Sequence, residues 1–79
     1  MPNAARLREW NADTFVPTLG QVTFILSEAP YSLDAESFVF QINGVGYVEG
    51  TDFTVSGTTV TWLGFQLDLG DCAVARYII

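Results

Sequence analysis

Apolar and polar residues alternate along most of this chain, and a period of two residues is typical of strands that bury one face. Val22, Phe24 and Leu26 share one face of the first such segment, and their neighbours along the chain fall on the other face. The same alternation continues in residues 37–43 and 53–62. The pattern predicts short strands with one apolar face, separated by loops that are rich in glycine and polar residues.

Two dipeptides in residues 37–61 predict tight hairpins. Asn43-Gly44 and Ser56-Gly57 are each flanked by residues that suit strands. The central positions of a two-residue primed turn need positive φ, which Asn and Gly tolerate and β-branched residues do not. We therefore expect a strand on each side of each dipeptide, with Asn43, Gly44 and Gly57 defining the turns.

The final segment, residues 72–79, is largely apolar on both faces. We predict that the core face is the one without Arg76, because a charged side chain is costly to bury. The small alanines of that face would leave room for large aromatic residues. The predicted core set is Ala73, Ala75, Tyr77 and Ile79.

Five or six short strands at regular spacing predict an all-β fold, because turn residues separate them and no helical periodicity follows residue 13. We expect a small antiparallel β-sandwich or a partly open barrel with an N-terminal arm. Residues 14–79 would form the single β-sandwich domain. Residues 1–13 would form the arm, which has room for one helical turn but is too short for a stable isolated helix.

Some apolar residues fall out of phase with the predicted core and would point outward, where a soluble monomer prefers polar groups. Two explanations stay open: another copy covers them, or a second sheet or loop of the same chain does. Trp and Arg dominate interface energetics, so residues in and near the arm join the prediction. The predicted partner or oligomer interface is Arg6, Arg8, Trp10, Phe15, Ile25, Val39, Val74 and Ile78.

The small size of the chain makes a partner surface valuable. Its 79 residues allow one domain, and a domain of this size buries only about 60% of the surface that its unfolded chain exposes. Yet 49% of the residues are hydrophobic and 14% are aromatic. Apolar side chains without a core to enter usually pack on a partner, often another copy of the same chain. We therefore expect a homo-oligomer or docking on a larger assembly.

The charge of the chain restricts the class of partner. The formal net charge is −6, and Arg76 is the only basic residue after residue 13. Because nucleic-acid phosphates are neutralised by clustered Lys or Arg, we expect no nucleic-acid partner. No stretch approaches the roughly 20 apolar residues of a membrane span, and no apolar run suggests a signal peptide. We therefore expect no association with a membrane. We expect the protein to be synthesised in a cytoplasm.

No arrangement of side chains predicts catalysis, a cofactor or a metal. The chain has no histidine and no lysine, so an acid–base pair could only be two carboxylates. Calcium needs six to eight converging oxygens, whereas Asp34 with Glu36, or Asp68 with Asp71, supplies two carboxylates each. The single Cys72 excludes an internal disulfide. We expect it to be a small buried or half-buried hydrophobe.

Acidic residues beside turn glycines or threonines have a simpler role. Asp52 and Asp71 stand next to such residues, where a carboxylate accepts backbone N–H groups and fixes the turn. We predict that Asp52, Gly70 and Asp71 define turns, together with the glycines and the asparagine of the two hairpins.

The ordered motifs of the chain resemble a small β module that recurs in the virion proteins of tailed bacteriophages. The motifs are W-x-A, then GQ-x-x-F, then NGV after a strand, then EGTDFTVSGTTVTW and finally LGDCAVARYI. They cover nearly the whole chain, and their order is more specific than any one of them. The matching positions are Trp10, Ala12, Gly20, Gln21, Phe24, Asn43, Gly44, Val45, Tyr47, Gly50, Asp52, Phe53, Val55, Gly57, Val60, Gly70, Asp71 and Tyr77.

The resemblance implies a structural and attachment module without catalytic activity, found in tail fibres, spikes and head-surface proteins and commonly trimeric. With an arm in front of one β domain and nothing behind it, we expect a head decoration or cement protein rather than a fibre shaft. Its expected place is the capsid surface of the virion, and its expected partners are the major capsid protein or other virion proteins. The expected homo-oligomer is a trimer.

Two other functions stay open. The first is a tail-fibre, spike or receptor-binding module that recognises host-surface glycans, in which Tyr31 and Tyr47 would stack on sugars. The second is a bacterial-surface adhesion module, which the missing export signal disfavours.

Overall fold

The structure, a computed structural model, describes residues 9–79 as an all-β domain. All the strand pairs in its two sheets are antiparallel. The strands are β1 (Trp10–Phe15), β2 (Thr23–Ile25), β3 (Phe38–Ile42), β4 (Val45–Tyr47), β5 (Phe53–Ser56), β6 (Thr59–Trp62) and β7 (Ala73–Ile78).

The strands form two sheets that enclose one core. The larger sheet has the order β1-β7-β3-β4, and the smaller sheet has the order β2-β6-β5. The chain changes sheet after β1, β2, β4 and β6, so each sheet collects strands that are distant in sequence. The prediction of a small antiparallel β-sandwich is therefore confirmed, and the two sheets do not close into a barrel.

Aromatic rings fill the space between the sheets. Phe40 of β3 is fully buried. Its ring centroid lies 5.1 Å from that of Phe53 and 5.9 Å from that of Phe24, and both of these residues belong to the smaller sheet. Beside it, β7 contributes the fully buried Ala73 and Ala75, whose small side chains leave that space to the rings. The alternation predicted for this strand is confirmed, since Tyr77 is buried and Arg76 is exposed.

Both predicted hairpins form, and the first has the predicted turn. Asn43 has φ +54° and Gly44 has φ +85°, the positive values that a type I′ turn needs at both central positions. In the second hairpin Ser56 is paired with Thr59, so the central residues are Gly57 and Thr58 rather than Ser56 and Gly57. Gly57 has φ +61°, as the first central residue of a type II′ turn does.

The predicted boundary between arm and domain is wrong. Residues 10–13 were expected in the arm, but Trp10 begins β1, which pairs with β7 along its whole length from Trp10 opposite Ile78 to Phe15 opposite Ala73. The strand was missed because its inward residues include Asn11 and Asp13, so it lacks an apolar face in the sequence. The rest of the predicted arm, residues 1–8, lies outside the described residues.

The environment of Cys72 also differs from the prediction. This residue is exposed, because it directly precedes the buried Ala73 and its side chain therefore points to the opposite face. In the preceding loop Leu67 is buried, whereas Phe65 and Leu69 are 51% and 70% exposed. The loop is not a strand, so a period of two does not describe it.

Two glycines test the first turn. Replacing Gly44 by Ala should lower the free energy of unfolding by about 1–2 kcal/mol, because a Cβ is disfavoured at φ +85°. Gly46→Ala is the matched control: its φ is not positive, and an added Cβ meets no atom within 4 Å. Urea denaturation should give a lower midpoint for Gly44→Ala and an unchanged or higher one for Gly46→Ala. Equal midpoints would contradict the turn assignment.

Candidate interaction surface

The register of the larger sheet brings predicted interface residues together on its outer face. Residues Phe38 and Tyr77 point into the core, so the residues that follow them along each strand point outward. We define the outer face as Trp10, Ala12, Thr14, Val39, Gln41, Val74, Arg76 and Ile78. Trp10 lies opposite Ile78, and Arg76 lies between Ala12 and Val39.

This outer face combines apolar side chains with one cation. Trp10 is 57% exposed, and Val39, Val74 and Ile78 are half-buried. Arg76 is exposed in the centre of the face and is the only basic residue among residues 9–79. No residue of the face is acidic. Trp and Arg are residue types enriched at the energetic centres of protein interfaces, and here they lie among apolar side chains.

The other predicted interface residues lie elsewhere. Ile25 is 63% exposed on the outer face of the smaller sheet, where it is paired with Thr59. Phe15 is half-buried: its side chain points inward and packs against the core, with its ring 5.1 Å from the ring of Phe24. Arg6 and Arg8 lie outside the described residues.

A polar network that the sequence analysis missed fixes β1 to the loop after β2. The buried hydroxyl of Tyr77 donates to Oδ2 of Asp13 and accepts from Nδ2 of Asn11 at 2.8 Å and from the N–H of Glu28 at 3.2 Å. Ser27 donates its N–H and its hydroxyl to the two oxygens of Asp13, at 3.0 and 2.7 Å. The one available signal was a tyrosine on a core face, because a buried hydroxyl needs a partner.

The network changes the acidity of Asp13. Burial of the carboxyl raises its pKa, but the hydrogen bonds from Tyr77 and from the backbone and side chain of Ser27 favour the ionised form. The resulting pKa lies below the ordinary value of 3.8. The carboxylate is therefore charged and turned toward its own domain, although it lies on an edge strand.

The predicted turn residues make the expected hydrogen bonds. Oδ2 of Asp52 accepts the N–H of Val48 at 2.9 Å. Oδ2 of Asp71 accepts the N–H of Asp68 at 2.8 Å, and its Oδ1 accepts Nδ2 of Asn43 at 2.9 Å. These bonds lower the pKa of Asp71. Through the side chain of Asn43, the first hairpin turn is tied to the start of β7.

The two tyrosines considered for glycan stacking differ in accessibility. Tyr31 is 59% exposed, whereas Tyr47 is half-buried and packs edge-on against Trp62, with ring centroids 4.9 Å apart. Beside Tyr47 lies a shallow groove of about 150 Å³, lined by Leu33, Ala35, Phe38, Tyr47, Val48 and Glu49. The ring of Tyr47 is thus already packed within the domain, against Trp62 and Phe65.

Two further properties concern residues 9–79 alone. No group of three or more His, Cys, Asp or Glu side chains is placed to hold a metal ion there. The same part of the chain contains no helix with the length and apolarity to cross a membrane.

Comparison with known proteins adds no relative. No protein-family model matches the chain, and no curated protein and no solved structure matches it either.

The network around Tyr77 predicts a pH dependence. Tyr77→Phe should lower the free energy of unfolding by about 1–2 kcal/mol at neutral pH, because it leaves partly buried polar groups without their hydrogen-bond partner. A carboxyl whose pKa is lowered on folding contributes stability above pH 3.8, and this contribution is lost as the pH falls through the folded-state pKa. The difference between wild type and Tyr77→Phe should therefore shrink below pH 3.8.

Tyr47→Phe is the control for this experiment, since the Tyr47 hydroxyl makes no hydrogen bond within residues 9–79. Urea denaturation at a series of pH values measures all three proteins. A Tyr77→Phe deficit that stays constant from neutral to strongly acidic pH would show that Asp13 does not depend on the tyrosine.

Proposed function

We propose that this chain is a non-enzymatic structural protein of a bacteriophage particle, which decorates the capsid exterior by docking through the outer face of its larger sheet. The observation that carries the proposal is the grouping of Trp10, Val39, Val74 and Ile78 around Arg76. The motif order described above supports the virion setting. The aromatic core and the anchored turns support a domain that keeps its shape while it binds.

The distribution of charge separates this face from the acidic loops. All nine acidic residues belong to residues 9–79, and none of them is on the outer face. A partner that binds there avoids the acidic loops and buries apolar area, which stabilises association by about 25 cal/mol per Å² before the costs of ordering. Arg76 would be satisfied by a carboxylate or carbonyl oxygen of the partner, so the complementary surface is apolar with an acceptor near its centre.

Decoration of this kind would strengthen a capsid by mass action. A protein that binds only the assembled lattice stabilises that lattice in proportion to the logarithm of its free concentration over its dissociation constant. No bond is made or broken, and the chemistry required of the chain is the presentation of one fixed surface.

A receptor-binding module at a fibre tip is the second candidate, and the exposure of Tyr31 is the observation that favours it. The number of copies in purified particles separates the two, because a decoration protein is present in hundreds of copies and a tip protein in a handful. Quantitative mass spectrometry of particles gives that ratio.

The docking face can be tested by two substitutions on opposite sides of the sandwich. Trp10→Ala should weaken binding to capsids about 30-fold, the effect of losing a contact worth about 2 kcal/mol. Ile25→Ala removes a side chain of similar exposure from the smaller sheet and should leave binding unchanged. Co-sedimentation with capsids that lack the protein measures both affinities.

Circular dichroism should confirm that both variants keep the fold. Equal affinities for wild type and Trp10→Ala would contradict docking through the larger sheet, and a loss confined to Ile25→Ala would move the contact to the other side of the molecule.

A further inference from the structure

The free edge of β1 is the feature of the molecule that is least protected. Four strands lie at sheet edges, and β2, β4 and β5 contain three, three and four residues, whereas β1 contains six. Short edge strands are one device by which proteins avoid pairing with other chains. Only the β1 edge offers a long run of backbone to a further strand.

The hydrogen bonds of β7 identify which groups of β1 are free. On one side, Ile78 donates to Ser37 and Cys72 accepts from Asn43, so the even-numbered residues of β7 bond to β3. On the other side, Ile79 donates to Glu9, so the odd-numbered residues bond to β1. Antiparallel pairs alternate between bonded and non-bonded.

It follows that Asn11, Asp13 and Phe15 use their backbone groups toward β7, and that Trp10, Ala12 and Thr14 direct theirs to the open side. Within residues 9–79 no backbone or side-chain group outside the β1–β7 pair bonds to these N–H and C=O groups. Trp10, Ala12 and Thr14 are all exposed.

Only one of the usual chemical protections is present at this edge, a charged residue that points inward. No lysine, arginine or proline lies in β1, although such residues are what discourages pairing at natural edges. Its one charged residue, Asp13, points inward and is held by Tyr77 and Ser27. The open side of β1 is thus neutral backbone flanked by Trp10, Ala12 and Thr14.

We propose that a second copy of this chain pairs with β1, antiparallel and about a two-fold axis at Ala12. In this register Ala12 exchanges backbone hydrogen bonds with its equivalent, and Trp10 does so with Thr14 of the other copy, which uses every free group of the strand. On the inner side Asn11 lies opposite Asp13 of the other copy, an amide beside a carboxylate.

The two neighbouring registers are less favourable on charge. An axis at Asp13 would set two carboxylates directly opposite each other, and like charges in that position destabilise a pair. An axis at Asn11 would set Glu9 opposite Asp13, which again places two carboxylates opposite each other. Only the register centred on Ala12 avoids both faults, and a two-fold axis makes the contact self-complementary.

Pairing in this way joins two larger sheets into one continuous sheet of eight strands, with both outer faces on the same side. The solution species would be a dimer with twice the chain mass of 8.7 kDa, in place of the trimer that the resemblance implies. This inference does not rest on the proposed function, since it concerns the backbone groups of the β1 edge and requires no capsid.

Substitutions at Ala12 test the register because only there does a residue face its own copy. Ala12→Arg and Ala12→Glu should each weaken the dimer about tenfold or more by placing like charges at the axis. An equimolar mixture of the two variants should recover a mixed dimer, because opposite charges then meet. Sedimentation velocity and native mass spectrometry of the full chain measure the species.

Thr54→Arg is the matched control, an exposed strand residue on the outer face of the smaller sheet; it should leave the dimer intact. Ala12→Pro gives an independent test, because it deletes an N–H that β7 does not use and should abolish the dimer while circular dichroism stays unchanged. A wild-type monomer at high micromolar concentration, a trimer, or a dimer indifferent to charge at position 12 would each overturn the proposal.

Discussion

The double pairing of β7 is the constraint on which the larger sheet depends. This strand is the last in the sequence, and it bonds to β1 through its odd-numbered residues and to β3 through its even-numbered ones. Because Trp10 pairs with Ile78, β1 can join the sheet only when residues that are distant in the sequence have come together. Such non-local pairing requires a loss of chain entropy before the stabilising contacts form, and it is typical of slowly folding β-sandwiches.

The side chains of β7 also alternate, between the core and the outer face of the larger sheet. Alanines and the ring of Tyr77 point to the core, where they accommodate the phenylalanines, and Val74, Arg76 and Ile78 point outward. A shift of one residue would bury the guanidinium and expose the ring. Core packing therefore fixes which residues lie on the outer face. The register of β7 that packs the core is also the register that forms the proposed binding surface.

Much of the architecture could be predicted from alternation and turn chemistry alone. Strands β3 and β6 are clear because each combines a regular apolar face with an adjacent turn residue suited to positive φ, and the core face of β7 is identified by Arg76 on its other face. β1 was not predictable in the same way, since Asn11 and Asp13 occupy inward positions and become acceptable only through Tyr77, which is distant in sequence. The inward turn of Phe15 was missed for the same reason.

The two tryptophans of the chain occupy opposite environments: Trp62 is 3% exposed in the core, and Trp10 is 57% exposed at the end of β1. Indole emission responds to solvent contact, so each ring is a separate optical reporter. The fluorescence emission of Trp62 should change when the sandwich unfolds, and that of Trp10 should change when another molecule covers its ring. The unlabelled protein therefore carries its own pair of probes, one for folding and one for association.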